Sequence, residues 1–232
     1  NTLINQHVDC IVISVSADSY NYDHLQNVID AGIQLIQFDR VAEELQTLKV
    51  INDNELASFE AVSHLIEQGY KNIALLEGPQ NLNVFRQRKA GYMKALEKFR
   101  IPVNDTFVVE NAWTKELGAA ATRKLLSLPY PPDAIFASTS DFSALGVLEV
   151  ATAMGFKVPG QLGICGYSNE AFTEITSPSI TTIDQFSVEM GRSVANLFFD
   201  QRGNTDTAAA PKIISIKPEL IVRGSTSRKS LV

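Results

Sequence analysis

The sequence predicts an α/β protein built on open parallel sheets. Apolar runs of strand length alternate along the chain with amphipathic segments of helix length. Strands that alternate with helices pair in parallel through right-handed crossovers. The apolar runs are also hydrophobic at successive positions rather than at every second one, as strands covered on both faces are. Length sets the scale. A chain of 232 residues, 45% hydrophobic and 20% charged, suffices for one large or two small domains of ordinary globular composition.

A buried strand is predicted over 8–15. A helix over 22–32 then places Leu25, Val28 and Ile29 on one face and ends at Gly32. Residues 33–38 form the next strand and 49–52 a short one. The helix over 54–69 is the clearest: Asp53 or Asn54 caps its start, Ala61, Val62, Leu65 and Ile66 line one face, and Gly69 ends it. A strand at 72–78, a helix at 84–98, a strand at 106–111 and a helix at 114–128 capped by Thr114 follow. Next come a strand at 133–138 and a helix to Met154 capped by Ser140 or Asp141. Strands at 162–167 and 179–184, a helix over 187–202 and strands near 212–217 and 219–223 complete the series. The stretch 201–212 reads as a polar surface loop.

Several function classes are disfavoured. A net charge of −6 argues against this segment gripping nucleic acid, which takes clustered cations. No apolar run reaches the roughly 18–20 residues of a membrane span. No signal peptide is visible, although the chain begins at Asn1 rather than Met and a leader could precede it. Cys10 and Cys165 sit in apolar stretches and read as small buried hydrophobes. His7, His24 and His64 lack metal-ligand spacing. The stretch "GICGYSNEAF" (163–172) resembles the nucleophile elbow G-x-S-x-G, with Ser168 as the serine, but its last position is Glu170 and no histidine follows. Neither a phosphate-binding P-loop nor a dinucleotide fingerprint is present. Weight shifts from an enzyme to a binding protein, whose ligand would sit at the carboxyl ends of the strands.

Four stretches, read together, resemble the lac repressor (LacI/GalR) family of bacterial transcription regulators. They are "INDNELASFEAVSHLIEQGYKNIALLEGP" (51–79), "RQRKAGYMKALEKFRIP" (86–102), "PPDAIFASTSDFSALGVLEVATAMGFKVPGQLGICGYSNE" (131–170) and "PSITTIDQFSVEMGRSVANLFF" (178–199), with a closing "ELIVRGS" (219–225). The resemblance implies an effector core like the type I periplasmic binding proteins. Such a core has two Rossmann-like subdomains with parallel sheets and helices on both faces, joined by three chain crossings, with the effector in the cleft. On this chain one subdomain would comprise 1–51 and 185–217, the other 53–184 and 218–232, with crossings near Asn52, Asp184 and Pro218. The resemblance also implies that the helix-turn-helix DNA-binding domain, a hinge helix and the first βα piece of the core lie outside this sequence.

Carried over residue by residue, the resemblance implies an effector site. Arg88, in an R-x-x-G pattern, would reach the effector, its guanidinium fork suiting paired hydroxyls or a carboxylate. Trp113, the one tryptophan, would pack on it as an aromatic platform. Asp39 and Ser14 would line the cleft, Ser140 would add a polar contact while Asp141 caps its helix, and Phe85 with Val84 would form an apolar wall. Sugar- and purine-responsive relatives carry an aspartate at the position of Ser168. A hydroxyl accepts less well than a carboxylate, so a phosphorylated or acidic sugar paired with Arg88 is expected, unless Asn169 or Glu170 replaces the missing acceptor. The implied protein is a cytoplasmic homodimer without cofactor or metal that senses a small molecule and binds operator DNA through the missing domain. A periplasmic sugar-binding protein feeding a transporter is the alternative.

Overall fold

The computed structural model describes residues 2–6, 8–19, 21–202 and 212–228. His7 and most of the loop expected over 201–212 lie outside them. In chain order the elements are α1 (Thr2–Asn5), β1 (Cys10–Ile13), α2 (Asp23–Asp30), β2 (Gln34–Phe38), β3 (Leu48–Asn52), α3 (Asn54–Glu67), β4 (Ile73–Leu76), α4 (Asn83–Lys98), β5 (Val108–Val109), α5 (Lys115–Leu126), β6 (Ala134–Ala137), α6 (Asp141–Ala153), β7 (Gly163–Cys165), α7 (Phe172–Ile175), β8 (Thr182–Asp184), α8 (Ser187–Arg202), β9 (Ile213–Ile216) and β10 (Glu219–Ile221).

The chain forms two compact units. The smaller comprises Asn1–Asp53, Asn81–Val84 and Phe186–Lys217. Its sheet runs β1-β2-β3-β9, every pair parallel. Ile36, Leu48 and Val50 pack against Met190, Val194 and Leu197 of α8, while α2 buries Leu25 and Val28. The buried Gln37 amide pins the loop after β2, donating to Thr47 Oγ1 at 2.8 Å and accepting from the Ala42 N–H at 2.7 Å. Residues 81–84 belong here by their side chains. Asn81 donates to the Ala17 carbonyl at 2.8 Å, and Asn83 accepts from the Val41 N–H at 2.9 Å. This excursion is not part of the expected subdomain boundaries.

The larger unit comprises Asn54–Gln80, Phe85–Gln185 and Pro218–Val232. Its sheet runs β5-β4-β6-β7, again all parallel. The two-residue period of a strand sends alternate side chains to opposite faces. Ala74, Leu76, Ile135 and Ala137 therefore meet Ala121, Leu125, Ala144 and Val147 of α5 and α6. Ile73, Leu75, Ala134 and Phe136 meet Ala61, Leu65, Tyr92 and Leu96 of α3 and α4. Both faces are covered, which is why these strands are apolar throughout. Each fully buried leucine or phenylalanine contributes about 1.5–3 kcal/mol.

Two strands depart from the sequence reading. The strand expected over 106–111 shrinks to Val108–Val109, because Asn104 accepts from the Thr106 N–H and coils Asp105–Phe107 into a 3-10 turn. The strand expected over 179–184 is joined to the sheet by an isolated bridge from Thr181 to Cys165; Thr182–Asp184 pairs antiparallel with β10. Of the two caps offered for α3, Asp53 is the residue that precedes the helix; Asn54 is its first residue, and its side chain bonds Arg88 and Tyr167.

Candidate functional site

The second turn of α4 carries Arg88 to the carboxyl end of the larger unit's sheet. Gly91, one turn on, lets the helix approach: a Cβ there would overlap the Glu55 carbonyl and the Phe59 nitrogen of α3. Arg88 is 4% exposed. Its Nε donates to Asn54 Oδ1 at 2.9 Å, its Nη1 to the Ser138 carbonyl at 2.8 Å and its Nη2 to Gln185 Oε1 at 3.1 Å. The guanidinium carbon lies 3.6 Å from the Tyr167 ring centroid and 5.5 Å from that of Phe85. Tyr167 in turn donates its hydroxyl to Asn54 Oδ1 at 3.0 Å. Phe85 is buried and lies where a side chain at Gly78 would stand.

The strand end after β7 answers the elbow question. A Cβ at Gly166 would overlap the Asp141 carboxylate, so packing alone accounts for the glycine there. Asp141 is fully buried and accepts from Thr182 Oγ1 at 2.6 Å and the Glu170 N–H at 2.8 Å. Burial pushes its carboxyl above the usual range, against the pull of these hydrogen bonds. Ser168 and Asn169 follow with φ of 120° and 55°, conformations that cost about 1–3 kcal/mol each where glycine is absent. Ser168 Oγ accepts from Gln185 Nε2 at 3.1 Å; it has a neutral amide, not a base, beside it. His64 bonds Thr226 Oγ1 at 2.8 Å.

The structure brings Arg88, Phe85 and, through Gln185, Ser168 together. Trp113 is 39% exposed, and its carbonyl accepts from Ser140 Oγ at 3.2 Å. Ser140, not Asp141, caps α6, accepting from the Ser143 N–H at 3.2 Å; the serine lies in extended backbone, as a cap must, while Asp141 is drawn inward. Asn169 has both ends of its amide engaged. Its Nδ2 donates to Asp184 at 2.9 Å and its Oδ1 accepts from Arg223 at 2.9 Å, so it does not supply the acceptor that Ser168 lacks. Ser14 and Asp39 lie at strand ends of the smaller unit. Arg40 Nε donates to Ser14 Oγ at 3.1 Å and stands 3.9 Å from the Asp39 carboxylate. Asp39 has a φ of 56°. Asn54 and Gln185 were not foreseen as partners of Arg88. Gln185 ends the quoted "SITTIDQ", but no spacing in the sequence aims it at a residue 97 positions away.

Two parallel sheets with polar and cationic side chains at their carboxyl ends define a small-molecule-binding domain, and a family model described as a periplasmic binding protein-like domain matches residues 62–226. The repressor CytR of Escherichia coli K12 is 37% identical over 192 residues, which is 83% of this chain and 55% of CytR. A transcriptional regulator CelR–cellobiose complex superposes with a TM-score of 0.85 at 32% identity, covering 97% of this chain and 68% of that one. A LacI family regulator from Enterococcus faecium with bound ribose gives 0.86 at 26% identity, covering 98% and 83%. The chain belongs to the LacI family of transcription regulators, of which it carries the effector-binding part. It spans about half the length of CytR. Among the described residues no helix is long and apolar enough to cross a membrane.

Proposed function

We propose that this chain senses a sugar or sugar derivative for a cytoplasmic transcription repressor. The effector meets the carboxyl ends of the larger unit's strands, with Arg88 as its principal polar anchor and Trp113, Phe85, Ser140 and Ser168 as its candidate surroundings; Ser14 and Asp39 are candidates at the strand ends of the smaller unit. Occupancy shifts the populations of two conformations and so alters the grip of an attached DNA-binding domain on operator DNA. A homodimer fits a two-fold symmetric operator. One observation carries the reading: a buried arginine held at a strand end by Asn54, Ser138 and Gln185, where ligands of open parallel sheets sit. Bound cellobiose and ribose in two structural neighbours support a sugar as the class. The relatives found are repressors, which weighs against a transporter's binding protein.

Trp113 emission provides the test. Titrating a sugar panel into the full-length protein should shift that emission for at least one member and change retention of a fragment of its own promoter. Arg88→Lys should weaken binding tenfold or more, since an ammonium cannot reproduce the fork. The reading fails if no sugar binds, or if Arg88→Lys binds as the wild type does.

A further inference from the structure

The polar groups around Arg88 are unbalanced in charge. Its three acceptors are the Asn54 amide, the Ser138 carbonyl and the Gln185 amide, all neutral. Among the described residues no carboxylate pairs with this buried guanidinium, although buried charges are normally paired. Nη1 and Nη2 each keep a second N–H beyond the donations to Ser138 and Gln185. The Tyr167 and Phe85 ring centroids lie 3.6 and 5.5 Å from the guanidinium carbon, and the remaining N–H groups point along the edge of the group, where a partner would bond. Gln185 organises what remains. Its Oε1 accepts from Arg88 and its Nε2 donates to Ser168 Oγ at 3.1 Å. That donation engages the serine oxygen as acceptor and directs its proton elsewhere. Asn169, which could have added an acceptor, is held by Asp184 and Arg223. The strand end offers donors and a positive charge, with no acidic acceptor bonded to Arg88.

We propose that the effector is anionic, a sugar acid or sugar phosphate whose charged group takes the free edge of Arg88. Gln185 is the positioning residue that fixes Arg88 and Ser168 as donors. This rests on the effector-sensing reading above and narrows it. An anion supplies the missing counter-charge and forms charge-assisted hydrogen bonds, roughly twice as strong as neutral ones.

The probes are glucose, glucuronate and glucose 6-phosphate, with the matching galactose and ribose series, titrated by calorimetry into the full-length protein. In at least one series the acid or the phosphate should bind tenfold or more tighter than its neutral parent, and which of the two does so identifies the anion. Gln185→Glu places a carboxylate on Arg88 and can still accept from Ser168. It should lower anion affinity tenfold or more and raise the denaturation midpoint, because the buried guanidinium gains its partner. A neutral parent that binds as tightly as its anions in every series would overturn the proposal and leave sugar sensing standing. So would a Gln185→Glu protein that keeps full anion affinity or melts lower. If no sugar in any series binds, sugar sensing itself is overturned.

Discussion

Glu77 follows β4, with its side chain 1% exposed. One oxygen accepts from Lys89 Nζ at 3.0 Å, and the other, Oε2, is buried without a hydrogen-bond partner. Burial pushes this carboxyl above its usual range; Lys89 pulls it down without prevailing, and Glu110 adds to the rise. An acid whose folded pKa is raised binds its proton more tightly when folded, so its ionisation works against the fold. The wild type should therefore lose stability as pH rises from the ordinary glutamate value through the raised one. Glu77→Gln keeps an acceptor for Lys89 and has no charge to lose. Its denaturation midpoint should exceed the wild type's at pH 8, and the difference should vanish in acid; thermal melts across pH check this. Single residues also mark the limit of sequence reading. The R-x-x-G context singles out Arg88, but its partners Asn54 and Gln185 lie 34 and 97 positions away and follow no periodicity. Ser140 could be read as cap or contact, and only the backbone shows it capping α6.

At the scale of elements, helix and strand placement was readable because burial on both sheet faces leaves continuous apolar runs. What escaped was governed by pairing partners. β8 and the residues before β5 have the composition of sheet strands, yet one pairs antiparallel with β10 and the other coils through an Asn104 side chain. The α3–α4 crossing depends on Gly91. Gly91→Ala puts a methyl group into the Glu55 carbonyl and the Phe59 nitrogen, backbone atoms that move only with the helix. Such overpacking costs about 1–3 kcal/mol, so a matching fall in chemical-denaturation stability is expected. The displaced helix also carries Arg88, so effector affinity should fall with it. A variant as stable as the wild type would show that the two helices separate more easily than their packing indicates.

For the whole molecule, Arg88 bonds Asn54 and Gln185, the residues at which the larger unit's chain begins and breaks off. Two of the positions where the chain passes from one unit to the other therefore adjoin the partners of Arg88. Each unit also holds one cysteine. Cys10, partly buried, lies in β1 of the smaller unit, and Cys165, fully buried, in β7 of the larger. Burial raises both thiols above their usual range, which slows attack on electrophiles while the fold is intact. Under increasing urea, Cys10 should become alkylated before Cys165, because the larger unit has cores on both faces of its sheet. Mass spectrometry of the labelled peptides reads the two midpoints, and coincident midpoints would mean the units open together. The molecule carries its own pair of chemical clocks, one ticking for each half. A ligand that slows only the Cys165 clock names the half that grips it first, without a crystal, a dye or a known operator.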